Sequence, residues 1–461
     1  MFKMTKSKKK VESKRIEGNP TKELFVHILT RDLSIEDAIN DLIDNSIDGA
    51  KRLRKKGDYK GLYVHIEIDK NRFKISDNCG GIPIDLARQY AFRFGRPSNM
   101  PDTDYSIGQF GVGMKRAIFK LGTSFYVESK AKNSEFEVLV DINDWLNKKD
   151  EHGNDDWSFE FQDFRTKRIK TKEDKTGTSI EIEPLRKSLA KYVATKRFID
   201  GLKAGIENKH MQNIYQGITI KVNGEKLKSK RPEFIVSELI KVAKWEKTYE
   251  NGVKVLLYAG IGDDVLEDGG WYIFCNDRLL LGPEQTALSG WTGKGGGGVA
   301  NYHQQYCRFR GLAYFLAENA KDLPWNTSKN NIDASSPIFL NTRAQMIELM
   351  KPIHKFLNLM KKEREKTADG ADKKERPYER AVQDGSSADV SNLNATNTES
   401  SFVIPDVVVE AEEQVEMVNI TYRKPKEIVE KVKKALKAKS LKKIGEGTFD
   451  YFVKMEEIDY E

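Results

Sequence analysis

The chain has 461 residues, 38% of them apolar and 32% charged, with a formal net charge of +8. That length predicts more than one domain, and the apolar share predicts a packed core. No run of about 18 apolar residues occurs, which argues against a membrane span, and the wide spacing of Cys79, Cys275 and Cys307 fits neither a zinc site nor a disulfide framework, so a reducing, cytoplasmic setting is expected.

The N-terminal "MFKMTKSKKKVESKR" is basic, with no apolar stretch after it. It predicts a basic arm over 1–19 rather than a secretory signal. From about 20 to 185 the pattern is mixed. "IEDAINDLIDNSIDGAKRLRKK" has helical spacing, "LYVHIEID" and "RFKISD" alternate as strands, and "DLARQYAF" and "MKRAIFKLG" read as helices. "TSFYVESK", "FEVLVDI" and "TSIEIEPL" add strands, so the fold class is α+β, a two-layer α/β sandwich. A second region holds strands at "ITIKVNGEKL", "VKVLLYAGIG", "GWYIFCNDRLLLG" and "RFRGLAYFLA", then a helix at "FLNTRAQMIELMKPIHKFLNLMKK". The run "TGKGGGGVAN" lacks the Gly-Lys-Ser/Thr order of a P-loop and is expected to be a flexible loop. Residues 363–400 are nearly free of apolar side chains and predict a disordered linker. The last segment, 401–461, offers a strand-like "FVIPDVVVEAEEQVEMVNITY", a basic helix "KPKEIVEKVKKALKAKSLKK" and a closing "FDYFVKM".

Four short blocks carry the chemistry. In "DLIDNSIDGAKR", Asp41, Asn45 and Asp48 stand at i, i+4 and i+7 and share one helix face. Asn and Asp are poor interior helix formers, so this polar stripe needs a ligand or a partner. "ISDNCGGI" is a strand that delivers Asp77 into a glycine turn, where a ligand can approach the backbone. "FGRPSNMPDTDYSIGQFGVGMKRAIFKLG" places Gly108, Gly111 and Gly113 ahead of a helix starting near Met114, with Lys115 and Arg116 just inside it; backbone amides and cations there suit phosphate. "KTGTSIEI" sets Thr178 after a glycine at a strand mouth.

In this order the blocks resemble the GHKL ATPase superfamily of gyrases, large heat-shock chaperones, histidine kinases and MutL proteins. The lid segment looks most like that of the Microrchidia (MORC) ATPases, and "WYIFCNDRLLLG" and "LPWNTSKNNID" are similar to their transducer domain. The resemblance implies an ATP-binding domain over 20–200, a transducer-like domain over 201–362, and a small basic interaction segment over 401–461. It implies ATP and Mg²⁺ as cofactors. Asn45 would ligate Mg²⁺, Asp77 would accept from the adenine amine, and Asp48 and Thr178 would support the base or its water. Gly108, Gly111, Gly113 and Lys115 would hold the phosphates, with Gly81, Ile82 and Val112 completing the ATP-binding set. Asp41 would be the general base, and Lys329 would reach the γ-phosphate.

Two departures stand out: Asp41 where the family has Glu, one methylene longer, and Cys79 where it has a glycine. The first predicts slow turnover, since a displacement of about 1 Å can cost on the order of 100-fold in rate. The second reads as a small packed residue. The implied function is a slow ATPase whose nucleotide state controls lid closure and homodimerisation. It would act on DNA or a DNA-associated assembly, in genome maintenance or prokaryotic defence. The rivals are a chaperone-like ATPase with protein clients and a nucleotide-gated scaffold with little hydrolysis. No histidine lies in a helical dimerisation segment ahead of the ATPase blocks, which argues against a sensor kinase.

Overall fold

The computed structural model describes residues 18, 20–28, 30–55, 57–95, 104–108, 111–166, 172–293, 297–326, 329–367, 376–407 and 420–458. Almost all of the basic arm expected at 1–19 lies outside them.

Helix α1 (Ile35–Leu53) starts at Ser34, whose hydroxyl accepts from the Asp37 amide at 2.9 Å. Glu36 and Asp37 in its first turn and Lys51 and Arg52 in its last complement the helix dipole. Its apolar side, with Ile39, Leu42, Ile43 and Ile47, is fully buried. That side packs with α2 (Gly113–Leu121) into a core faced by alternating residues of a sheet, such as Val64, Ile66, Phe73, Ile75, Val127 and Ile182. Period-two alternation gives each strand one apolar face for the helix layer.

Among the described residues that sheet has eight strands in the order β5-β4-β3-β6-β2-β1-β7-β8. They are β1 (Tyr63–Ile68), β2 (Phe73–Asp77), β3 (Ser124–Ala131), β4 (Ser134–Asp141), β5 (Asp163–Thr166), β6 (Gly177–Ile182), β7 (Thr219–Val222) and β8 (Glu225–Lys226). The expected boundary at 200 is not a break in this sheet. "ITIKVNGEKL", read as part of the second region, forms β7 and β8, and β7 pairs in parallel with β1 through Val64↔Ile220. The connection includes α3 (Lys196–Lys209), whose Leu202 and Ile206 are buried.

The second sheet runs β13-β12-β14-β11-β10-β16. Its strands are β10 (Val242–Thr248), β11 (Lys254–Ile261), β12 (Gly270–Cys275), β13 (Arg278–Glu284), β14 (Phe309–Leu316) and β16 (Thr398–Glu399), while β9 (Phe234–Val236) pairs separately with β15 (Ser386–Ala388). Helix α4 (Pro337–Thr367) packs on this part of the fold through buried Phe339, Met346, Met350 and Phe356, and Trp271 of β12 donates its indole N–H to Met350 Sδ at 3.0 Å.

The linker expected at 363–400 is structured wherever it is described. Pro377–Gln383 is helical, capped by the Glu363 carboxylate, which accepts from the Tyr378 and Glu379 amides at 3.0 and 3.1 Å. β16 extends the second sheet beside β10. Ala388, Val390 and Leu393 pack onto a cluster that includes Phe234, Tyr272, Phe274 and Tyr314. The few apolar residues of this stretch cover a sheet face that would otherwise be wet, a job that composition does not reveal. In the glycine-rich run, residues 294–296 lie outside the described part. The base around them is tied, with the Gly293 amide donating to Val299 O and the Gly298 amide to Thr292 Oγ1, both at 3.0 Å.

The chain divides into two compact units, 1–407 and 408–461. In the second, 408–419 of the strand-like stretch lies outside the described residues, and 420–422 is irregular rather than a strand. The basic helix is shorter than expected, Lys426–Ala435. A second helix, Leu441–Met455, starts at a Ser440 cap and absorbs "FDYFVKM". Among the described residues no helix is long and apolar enough to cross a membrane.

Candidate functional site

All thirteen residues singled out from the sequence line one cavity of about 210 Å³: Asp41, Asn45, Asp48, Asp77, Gly81, Ile82, Gly108, Gly111, Val112, Gly113, Lys115, Thr178 and Lys329. Leu86, Ile75 and Ile180 supply its apolar wall.

Asp77 ends β2 beside the start of β6. Its carboxylate accepts from Ser46 Oγ at 2.7 Å, the Cys79 amide at 2.8 Å and the Thr178 amide at 3.3 Å. Withdrawal from water pushes its carboxyl above the usual range, against those donors. A Cβ on Gly177 would lie 1.8 Å from Asp77 O, so only glycine allows β6 this close. Gly81, at φ +66, is equally confined, with Lys130 O 2.2 Å from where a Cβ would stand. Thr178 Oγ1 shares a hydrogen bond of 2.9 Å with Ser129 Oγ, which also accepts from the Ile82 amide at 2.8 Å. The Cys79 thiol is buried, and burial pushes it well above its ordinary range, away from thiolate chemistry.

On α1, Asn45 is exposed in the cavity, and its side-chain amide makes no hydrogen bond to another described residue. Asp48 also lines the cavity and anchors the glycine segment. Both its oxygens are taken by the glycine segment, from the Ile107 amide at 2.7 Å and the Gly108 amide at 2.6 Å. A short carboxylate one turn below the site satisfies two loop amides, which fixes where that loop begins.

The two cations at the start of α2, both expected near the phosphates, point in different directions. Lys115 is buried and donates to Ala91 O at 2.9 Å and Gly111 O at 2.5 Å, and burial pushes its pKa down to about 7. It ties backbone to backbone. Arg116 instead reaches Asp41, with Nη2 3.0 Å from Asp41 Oδ2. Gln109 and Phe110 of this segment lie outside the described residues.

Lys329, from the second region, reaches the same place. Its ammonium is 3.4 Å from Asp41 Oδ1 and 3.0 Å from Asp44 Oδ2, and burial lowers its pKa from the usual lysine value. Sequence reasoning missed Asp44, Ser46, Ser129 and Arg278. Ser46 and Asp44 flank Asn45 on α1 and differ from the stripe by about 100° per residue, so periodicity gives no reason to choose them.

With this geometry in view, residues 33–178 match the family model described as histidine kinase-, DNA gyrase B-, and HSP90-like ATPase. The match assigns a GHKL-type ATPase domain to that part of the chain and supports ATP binding and ATPase activity there. It begins just before α1 and ends on Thr178. No curated protein matches the chain significantly.

Proposed function

We propose that this chain is a Mg²⁺-dependent ATPase, of a kind similar to the Microrchidia proteins, whose nucleotide state controls its lid and its dimerisation on DNA or a DNA-bound assembly. The supporting observation is the arrival of Lys329 beside Asp41, in a cavity otherwise built from residues 41–180. A second-region lysine at the site gives that region a way to read the nucleotide.

In this reading Asp77, Ser46 and Thr178 select adenine through one fixed acceptor. Asn45 is the one candidate ligand for Mg²⁺ on α1 with an uncommitted amide oxygen among the described residues. A hard cation held by one protein oxygen, phosphates and water fits that chemistry, and when bound it would neutralise phosphate charge. Arg116 and Lys329 flank Asp41 and present positive charge toward the phosphate end. Asp41 orients the attacking water and takes its proton. Because Asp41 already contacts both cations, a nucleotide-gated scaffold with little hydrolysis is the second reading. Turnover measured with and without duplex DNA, with oligomeric state recorded alongside, separates them. DNA-stimulated turnover favours the ATPase, whereas ATP-dependent dimerisation at near-zero turnover favours the scaffold.

Lys329→Ala should lower turnover by about tenfold or more while ATP affinity falls far less, because the lysine acts on transferring charge rather than on the base. ATP-induced dimerisation should weaken too. An unchanged rate and unchanged elution would return Lys329 to a structural role.

The C-terminal unit is proposed as a recruitment element. Ile428, Leu441, Tyr451, Phe452 and Met455 are exposed there among many lysines. The lysines would suit phosphates in a sequence-independent, salt-sensitive way. A truncation should be cut after 407, since Phe402 is buried in the first unit. It should bind ATP normally and lose affinity for DNA or a protein partner. Equal affinity for both would remove the tail from this role.

A further inference from the structure

A buried ion cluster lies behind the cavity wall. Asp44, one turn from Asp41 on α1, is fully buried, and its Oδ2 receives both Lys329 Nζ at 3.0 Å and Arg278 Nη1. Arg278 is itself fully buried. It opens β13, directly after the Asn276–Asp277 turn that joins β12 to β13, where both residues have positive φ. The tip of a second-sheet hairpin is thus pressed against α1. Arg278 Nε and Nη2 and Asp44 Oδ1 have no hydrogen-bond partner among the described residues. His210 Nε2 is 3.9 Å from Asp44 Oδ1, but its imidazole is kept neutral by burial, with its pKa pushed down to about 3, and it hydrogen-bonds Asn40 Oδ1 at 3.1 Å. It supplies no compensating charge.

An under-satisfied buried pair is a poor source of stability, because apolar residues of similar size would do as well. Its placement suggests another use. Lys329 stands between two carboxylates, nearer to Asp44 than to Asp41. We propose that Asp44 and Arg278 are positioning residues: Asp44 parks Lys329, and Arg278 sets how firmly it is held, so that the second-sheet hairpin governs release of Lys329 toward the phosphates. This rests on the ATPase reading above. With Arg278 present, the Asp44 charge is already compensated and Lys329 can be given up. Without it, Lys329 becomes the only cation among the described residues hydrogen-bonded to the Asp44 carboxylate, and release is harder. None of the hydrogen bonds of Asp77 involves Asp44 or Arg278, so adenine recognition there should be untouched.

The test uses the full chain, with ATP affinity by calorimetry, turnover by phosphate release and melting temperature. R278M should keep ATP affinity within about threefold and lose at least tenfold in kcat, and R278K should lose less. In a K329A background the same R278M change should have little further effect on kcat, because its action passes through Lys329. Additive losses, or parallel losses of affinity and melting temperature in both arginine variants, would make the pair merely structural and overturn the inference. If R278M does not fold, R278K in the presence and absence of K329A gives the same non-additivity readout. A wild-type chain that neither binds nor hydrolyses ATP would defeat the ATPase reading itself; a working ATPase with R278M at the wild-type rate would defeat this inference alone.

Discussion

Asp77→Asn is expected to reduce ATP affinity by at least about 100-fold, roughly 2.7 kcal/mol, while the protein stays folded. The carboxylate holds three donors, from Ser46, Cys79 and Thr178. An asparagine can keep the two amides on its carbonyl oxygen, and the Ser46 hydroxyl can rotate to accept from the new NH₂, so the local structure survives. In the proposed site, the acceptor that would face the adenine amine becomes a donor facing a donor. A charge-assisted hydrogen bond is exchanged for an unsatisfied buried pair, worth about 1.5–3 kcal/mol on each account. The pH dependence has a definite sign. Because burial raises the Asp77 carboxyl, ATP affinity should begin to fall on acidification at a higher pH than an exposed aspartate would cause. Asp77→Asn should lack that limb. Calorimetry giving wild-type affinity for this variant would remove the nucleotide-site assignment. Asn45→Ala offers a companion measurement, with loss confined to the Mg²⁺-dependent part of the affinity.

Asp41→Ala should bind ATP and scarcely hydrolyse it. General-base catalysis contributes on the order of 10²–10⁴ in rate, so turnover should fall at least about 100-fold. Affinity should hold or rise, since removing the carboxylate frees Arg116 and Lys329, which sit 3.0 and 3.4 Å from it, for the phosphates. Single-turnover hydrolysis and equilibrium binding separate the two effects. If Asp41→Ala hydrolyses ATP at the wild-type rate, the base is elsewhere.

Much of the site was legible because its signals are short-range. The i, i+4, i+7 stripe of Asp41, Asn45 and Asp48 follows from helical period alone, and all three do line the cavity. Asp77 at a strand end, followed by glycines that tolerate close backbone contact, was visible for the same reason. Direction was less visible. Lys115 and Arg116 are adjacent in sequence, and only the packing of α2 against Ala91 and α1 decides that the lysine turns inward and the arginine meets Asp41. Asp48 likewise lies on the predicted face, yet only the path of the loop at Ile107 and Gly108 determines that its oxygens also hold two loop amides.

The sequence by itself determined helices α1 and α2, strands β1 to β4 and β6, the stripe on α1 and the class of ligand its four blocks accept. Periodicity, caps and glycine turns are properties of a few neighbouring residues. The tertiary structure decided that β7 and β8 complete the first sheet, that the polar stretch at 376–407 covers the second, and that Asp44, Arg278 and Lys329 meet. Arg278 and Lys329 lie 234 and 285 residues from Asp44. Such meetings depend on which buried surfaces are left to be covered and which buried charges need partners once the sheets have formed, and no local pattern of residues encodes that.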